Sequence, residues 1–189
     1  KFLFNQTIPF DLPIEMSAVE VPEDPFGIAE ITSGFNKRTL ISPIHAALMT
    51  AAIANDGTMM RPWLVTSVVD PSGETVFQGH PSALARPIDK KTAGKLRVLM
   101  QDTVKTGTLR KAFRPLKGKR SLRDVEVGAK TGSINDKEGR YRLDWATVYA
   151  IPKDRNQPIV VTVLALHGEK IGARSGEIAR RVIEHYLGS

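Results

Sequence analysis

The stretch that decides the fold runs from residue 124 to residue 133 and reads Asp-Val-Glu-Val-Gly-Ala-Lys-Thr-Gly-Ser. Its residues alternate in character: one set is Val125, Val127 and Ala129, and the other is Glu126, Gly128 and Lys130. Because successive side chains of a β-strand point to opposite faces, this alternation predicts a strand with one buried face. We expect the side chain of Lys130 to point away from the core.

The end of this predicted strand carries groups that suit the binding of an anion. Lys130 offers an ammonium, Thr131 and Ser133 offer hydroxyls, and Gly132 lets another backbone approach closely. Together they predict a site for a carboxylate on an extended peptide. The alternative is a surface lysine without a function, since Lys-Thr-Gly occurs again at 105–107, where a helix is predicted to end.

Two more strands and a closing helix are predicted after this stretch. Short β-rich runs indicate strands at 145–151 and 159–166, joined by polar loops. An apolar stripe at 178–187 predicts a helix for which Ser175 is a suitable cap. The sequence therefore predicts an α+β fold, with an antiparallel sheet and flanking helices.

The first two thirds of the chain are predicted to hold two helices and one hairpin. Ser42, followed by a proline, begins an apolar-faced helix that ends at 55–57, and helical spacing at 90–104 predicts a second helix. A turn at 70–73 separates two short β-rich runs. Residues 1–41 contain four prolines and no sustained period, which predicts extended loops with short ordered pieces.

Composition excludes several classes of function. The chain has 189 residues, a net charge of +7 and no cysteine, so thiolate metal sites and disulfides are excluded. Its four histidines lack metal-ligand spacing, and we expect no metal. Seven basic residues at 110–123 surround a single aromatic residue, which favours a solvated basic loop over a nucleic-acid site.

At several places, in the same order, the sequence resembles the transpeptidase domain of penicillin-binding proteins. Residues 127–133 followed by 144–152 resemble the third strand, loop and fourth strand of that domain. Residues 41–48 leading into 52–57 are similar to a helical stretch of the family, and 107–108 stand in the place of a structural Gly-Thr element. The resemblance extends over nearly the whole chain and implies the β-lactamase/transpeptidase-like fold.

The resemblance implies roles for the four residues of the matching strand. Lys130 would be catalytic as an electrostatic partner for the substrate carboxylate and the catalytic network, and Thr131 and Ser133 would contact that carboxylate. Gly132, which has no side chain, would leave room for the backbone of the substrate. The backbone N–H of Ser133 would be the second oxyanion-hole donor, which makes Ser133 the other catalytic residue. No cofactor is implied, and the substrates would be peptidoglycan stem peptides and β-lactams.

One motif of the family is absent. No Ser-x-x-Lys occurs in the sequence, although the family uses that serine as the acyl-accepting nucleophile. Residues 133–135 spell Ser-x-Asn, but they overlap the substrate strand, whereas the family's element lies on a separate loop upstream. We therefore expect residues 1–189 to be the carboxy-terminal part of such a domain, inactive alone, with the missing amino-terminal half as its partner.

The parent protein is accordingly expected to be a peptidoglycan D,D-transpeptidase that works through a serine acyl-enzyme. A serine β-lactamase or D,D-carboxypeptidase of the same fold is an alternative, and so is a non-catalytic module that binds peptidoglycan or β-lactams. The expected location is the periplasm or the outer face of the bacterial cytoplasmic membrane. Since no segment is long and apolar enough to cross a bilayer, any membrane anchor would lie outside this chain.

Overall fold

A computed structural model describes residues 1–34, 36, 38–114, 124–154 and 156–188. The helices are α1 (Pro25–Ser33), α2 (Pro43–Ala54), α3 (Lys90–Lys105), α4 (Arg110–Phe113) and α5 (Ser175–Gly188). The strands are β1 (Met59–Met60), β2 (Ser67–Val69), β3 (Thr75–Gln78), β4 (Ala83–Ala85), β5 (Val125–Asn135), β6 (Arg142–Pro152) and β7 (Ile159–His167).

The main sheet is antiparallel and has the order β5-β6-β7. β5 and β6 pair along their whole lengths, from Val125 opposite Pro152 to Asn135 opposite Arg142, and β7 pairs with the other side of β6. The remaining strands form two small pairs, β1 with β4 and β2 with β3. The α+β prediction is confirmed, and β5 is an outer strand of this sheet in the part of the chain that the structure describes.

Helices cover both faces of the main sheet. On one face α4 and α5 pack against a core whose buried members are Val104, Leu109, Phe113, Ala129, Ala146, Val148, Ala150, Ala179 and Ile183. On the other face α2 and α3 enclose a smaller cluster built from Met100, Tyr149 and Ile151. Ala129 is buried in the first core, and Val125 and Val127 pack against it partly buried, so this face of β5 does point toward the core.

The two helices predicted in the first two thirds of the chain are present. Ser42 accepts a hydrogen bond from the N–H of His45 at 3.3 Å, and Pro43 takes the first position of α2, as the sequence predicts. α3 covers the predicted 90–104 and begins after Asp89, whose carboxylate accepts the N–H of Thr92 at 2.6 Å. Both helices are therefore fixed at their first turn by a side-chain oxygen.

Residues 1–41 contain one helix, α1, which the prediction of extended loops with short ordered pieces did not place. Asp24 caps this helix by accepting the N–H of Gly27 at 2.8 Å, and a proline takes its first position. Gly34 ends it with a positive φ of 74°. The start and stop signals are present in the sequence, but only Gly27 is buried, so the helix has no apolar stripe that would reveal it.

Three smaller expectations also need correction. The first β-rich run of the predicted hairpin, residues 63–69, forms a strand only from Ser67 to Val69. Ser175 is the first residue of α5 rather than its cap, and its N–H donates to the Asp144 carboxylate of β6. The basic stretch begins with a helical turn, α4, instead of a loop, and its residues 115–123 lie outside the described chain.

An ion pair ties α3 to the polar face of β5. The guanidinium of Arg97 donates to both carboxylate oxygens of Glu126, at 2.9 and 2.8 Å, and the Tyr149 hydroxyl donates to the same carboxylate at 3.2 Å. The hydrogen bonds from Arg97 hold the pKa of Glu126 below its usual value, and burial raises the pKa of Tyr149 to about 12. This ion pair therefore fixes β5 at Glu126, which lies four residues before Lys130 on the same face of the strand.

We expect Gly128→Ala to destabilise the fold strongly. A Cβ atom at Gly128 would lie 2.4 Å from the ring of Tyr149, which is fully buried and has no room to move aside. The shifts needed to remove this overlap should lower the free energy of unfolding by about 2–3 kcal/mol, which urea denaturation measures.

Gly132→Ala is the matched control, because the nearest atom to its added Cβ is 3.8 Å away. Its free energy of unfolding should change by less than about 0.5 kcal/mol. Equal losses for the two variants would show that glycine flexibility, rather than contact with Tyr149, decides the effect.

Candidate active site

Lys130 lies exposed near the middle of β5, opposite Thr147 in β6. Its Nζ atom donates to the carbonyl oxygen of Thr131 at 2.5 Å. Among the described residues, no carboxylate lies within ion-pair distance of this ammonium. The expectation that Lys130 points away from the core is confirmed, and its charge is available to an incoming anion.

The two hydroxyls predicted to accompany Lys130 lie on the opposite face of β5, as strand alternation requires. The Thr131 hydroxyl is 3.0 Å from the hydroxyl of Thr108, and the Ser133 hydroxyl donates to Asp144 at 3.4 Å. Ammonium and hydroxyls therefore do not share one face. One ligand can contact both the ammonium and the hydroxyls only if it lies along the outer edge of β5, because the two faces of the strand meet at that edge.

Gly132 leaves the backbone bare at this edge. The residue is exposed, and a Cβ atom there would meet only the Cβ of its cross-strand neighbour Trp145, at 3.8 Å. The space above the strand is consequently open to a second chain, as the sequence predicts.

A buried carboxylate lies behind Ser133. Asp144 is 7% exposed, and its Oδ2 atom accepts the N–H of Ser175 at 3.0 Å and the Nε2–H of His167 at 3.4 Å. The N–H of Gly172 donates to Nδ1 of His167 at 3.3 Å, so this histidine carries its hydrogen on Nε2. One carboxylate thereby connects β5, β7 and the start of α5.

The pKa of Asp144 is lower than usual despite its surroundings. Burial by itself raises this pKa, but the hydrogen bonds from Ser175 and His167 and the charge of Arg174 outweigh burial. The carboxylate is therefore ionised at neutral pH. Sequence reasoning missed this group, and the available signal was one acidic residue inside an apolar strand.

The second Lys-Thr-Gly copy has a different environment. Lys105 ends α3 and donates to Gln101 at 2.8 Å, while the Thr106 hydroxyl donates to the carbonyl of Asp102. Neither group faces the edge of a strand. Thr108 follows this copy, and its hydroxyl contacts the hydroxyl of Thr131 on the candidate strand. This segment therefore packs against the candidate strand but contributes no lysine to it.

A groove of about 780 Å³ begins where the candidate strand ends. We call it the α1 groove, and its walls include Phe26 and Glu30 of α1, Ser133 and Asn135 of β5, and Arg142 of β6.

The described residues contain no group of three or more histidine, aspartate or glutamate side chains that could hold a metal ion. Nor does that part of the chain include a helix with the length and apolar character needed to span a bilayer.

Comparison with known protein families identifies the chain. The family model described as "Penicillin binding protein transpeptidase domain" matches residues 1–184. The chain belongs to this family. The resemblance inferred from the sequence is confirmed, and the Lys-Thr-Gly strand lies inside the matched range.

Two curated relatives of this transpeptidase-family chain are bacterial proteins of greater length. Stage V sporulation protein D of Bacillus subtilis is 29% identical over 143 residues, which are 74% of this chain and 21% of that protein. Peptidoglycan D,D-transpeptidase PbpA of Mycolicibacterium smegmatis is 25% identical over 174 residues, or 84% of this chain and 33% of that protein. The chain thus spans about a fifth to a third of these relatives.

Solved structures agree with the fold. The D,D-transpeptidase domain of a peptidoglycan glycosyltransferase from Eggerthella lenta superposes with a TM-score of 0.75 at 25% identity, covering 99% of this chain and 45% of that one. Penicillin-binding protein A of M. tuberculosis, solved as an imipenem acyl-enzyme complex, gives 0.77 at 25% identity, covering 97% and 39%. The mixed helix and antiparallel-sheet fold is that of transpeptidase domains.

We expect Asp144→Asn to destabilise the chain in a pH-dependent way. At pH 7 the loss of a charged acceptor for Ser175 and His167 should lower the free energy of unfolding by about 1–2 kcal/mol. Because the pKa of Asp144 is lowered by folding, its contribution is complete above about pH 5 and disappears as the pH falls below about 4. Urea denaturation at several pH values measures the difference.

Asp102→Asn provides the control, since this carboxylate is exposed on α3. Its effect should stay below about 0.5 kcal/mol throughout. A difference between wild type and Asp144→Asn that grows as the pH falls would contradict the ionised, buried carboxylate.

Proposed function

We propose that this chain supplies the substrate-binding strand of a peptidoglycan D,D-transpeptidase that forms a serine acyl-enzyme. The observation that carries the proposal is the position of Lys130-Thr131-Gly132-Ser133 on an outer strand, with an exposed ammonium and an open backbone edge. Family membership supports the reaction class, and the named relatives include peptidoglycan D,D-transpeptidases.

Lys130 is proposed to bind the carboxylate of the substrate. Among the described residues, the acceptor of its ammonium is the neutral carbonyl of Thr131. A carboxylate is a stronger acceptor for an ammonium than a carbonyl, and a charge-assisted bond is roughly twice as strong as a neutral one. Exchange of one partner for the other would therefore favour binding.

Thr131 and Ser133 are proposed to add hydroxyl contacts, and their hydrogens are not equally free. In the Thr131–Thr108 pair one hydroxyl donates to the other, which leaves one hydrogen for a ligand. Ser133 uses its single hydrogen on Asp144 through a long bond of 3.4 Å. It must rotate away from Asp144 before it can donate to a substrate carboxylate.

The backbone N–H of Ser133 is proposed as an oxyanion-hole donor. Alternate residues of an antiparallel strand direct their N–H and C=O groups to the same edge. The carbonyl of Thr131 is reached by the exposed Lys130 ammonium, which supports an outward direction for Thr131 and also for Ser133. An N–H there could stabilise the tetrahedral intermediate of acyl transfer.

The nucleophile has to come from outside these 189 residues, because the sequence contains no Ser-x-x-Lys. In the proposed reaction that serine attacks the carbonyl of a D-Ala-D-Ala peptide, releases D-alanine and passes the acyl group to an amine of a neighbouring peptide. The chain alone is therefore proposed to be inert toward both substrate and penicillin. We place the reaction at the outer face of the bacterial cytoplasmic membrane, where peptidoglycan is assembled.

The absent nucleophile motif favours a second candidate, a non-catalytic module that binds peptidoglycan or a β-lactam through the same strand. A β-lactamase or D,D-carboxypeptidase would also use this strand, with water in place of the acceptor amine. Labelling and turnover experiments separate the three functions.

We expect Lys130→Ala to reduce covalent labelling by a fluorescent penicillin. The test uses the natural polypeptide that contains this chain, with the 189-residue chain beside it. Loss of the ammonium should slow acylation about 100-fold, in line with the removal of one group that stabilises the transition state. The 189-residue chain should not be labelled.

Lys105→Ala is the matched control, because it changes the lysine of the other Lys-Thr-Gly copy, at the end of α3. Its acylation rate should stay within about twofold of wild type. Equal rates for wild type and Lys130→Ala would refute the role of the strand. Absence of labelling on the folded natural polypeptide would favour the binding module, and rapid hydrolysis of the labelled ester would favour a β-lactamase.

A further inference from the structure

The α1 groove contains two opposite charges that do not pair with each other. Glu20 forms an ion pair with Arg38 at 3.9 Å, and Asp24 is engaged as the cap of α1. Glu30 and Arg142 also line the groove, and the described residues provide no ion-pair partner for either. A carboxylate and a guanidinium therefore line one groove without approaching within the 4.0 Å of an ion pair.

Such an arrangement suits a ligand that carries both charges. An unpaired carboxylate attracts an ammonium and a guanidinium attracts a carboxylate, with the planar fork of arginine suited to two parallel hydrogen bonds. Glu30 is half-buried, which makes its interactions stronger than those of a fully solvated side chain. The side chain of Phe26, 75% exposed on the same wall, offers apolar contact.

The groove is also continuous with the candidate active site. Ser133, the last residue of the Lys-Thr-Gly-Ser motif, is part of its wall, and Asn135 extends the wall along the same strand. A peptide lying in the groove would therefore reach the place where the acyl group is held. The ligand is expected to take an extended form, because the end of β5 presents backbone along this wall.

We propose that the α1 groove binds the acceptor peptide of the transfer reaction, with its ammonium at Glu30 and its carboxylate at Arg142. The proposal rests on the proposed function, in which the acyl group passes to an amine of a second peptide. It adds a binding site for that peptide on the wall formed by α1, separate from the Lys130 ammonium that receives the carboxylate of the donor.

The test is an NMR titration of the full 189-residue chain with two ligands. One is Nα-acetyl-lysyl-D-alanine, which has a free ammonium and a free carboxylate, and the other is its Nα,Nε-diacetyl form, which lacks the ammonium. The first should bind about three- to fivefold more tightly, as expected for one partly exposed ion pair. Shifts should centre on Phe26, Ser133, Asn135 and Arg142.

Variants assign the two charges. Glu30→Gln should abolish the preference for the free ammonium, whereas Glu23→Gln, an exposed neighbour that does not line the groove, should retain it. Arg142→Gln should lower the affinity of the chain for both ligands by a similar factor. Equal affinities of the two ligands for the wild-type chain, or a preference that survives Glu30→Gln, would overturn the proposal.

Lys130→Ala separates this proposal from the proposed function. The variant should retain the preference for the free ammonium, because the acceptor site does not use Lys130. If instead Lys130→Ala abolishes binding and Glu30→Gln does not, the ligand occupies the donor strand, and the acceptor site is refuted while the strand's role stands. If Lys130→Ala leaves penicillin labelling intact but the Glu30-dependent preference is measured, the proposed function of the strand fails alone.

Discussion

The β5–β6 ladder is the constraint on which the rest of the structure depends. All eleven residues of β5 pair with β6, and β5 has no other strand beside it in the described chain. A shift of one residue would turn every side chain to the opposite face. It would move Lys130 into the core and place Ala129 in solvent. The tight fit of Gly128 over the Tyr149 ring and the Arg97 ion pair both oppose such a shift.

The ladder also explains why the ammonium and the hydroxyls of the motif have different partners. Neighbouring residues of a strand face opposite ways, so Lys130 looks toward the α2–α3 side and Ser133 toward the α5 side. In the free chain the Lys130 ammonium donates to a neutral carbonyl, and the Ser133 hydroxyl donates to Asp144 through a long hydrogen bond. A ligand at the outer edge would offer a better acceptor to both. The proposed site is thus assembled from two faces of one strand rather than from a pocket.

The sequence was sufficient for the elements whose pattern is local. The alternation of β5, the proline-started α2 and the apolar stripe of α5 each appear within about ten residues, and each was predicted. α1 was missed because its caps are local but its buried surface is a single glycine. The Asp144 network was missed for another reason: its donors, at Ser175 and His167, are 31 and 23 residues away in the sequence. The register of β6 and β7 brings His167 near Asp144, and the packing of α5 on the sheet brings Ser175 to it.

The buried Asp144 carboxylate has a consequence for the way the chain opens. If α5 were to detach alone, the carboxylate would lose its Ser175 donor while remaining in the sheet, which is costly for a group so little exposed. Water would have to enter between α5 and the sheet at the same moment. Amide hydrogens of α5 and of the centre of β6 should therefore exchange with solvent in one cooperative opening, whereas those of the exposed β2–β3 hairpin should exchange independently.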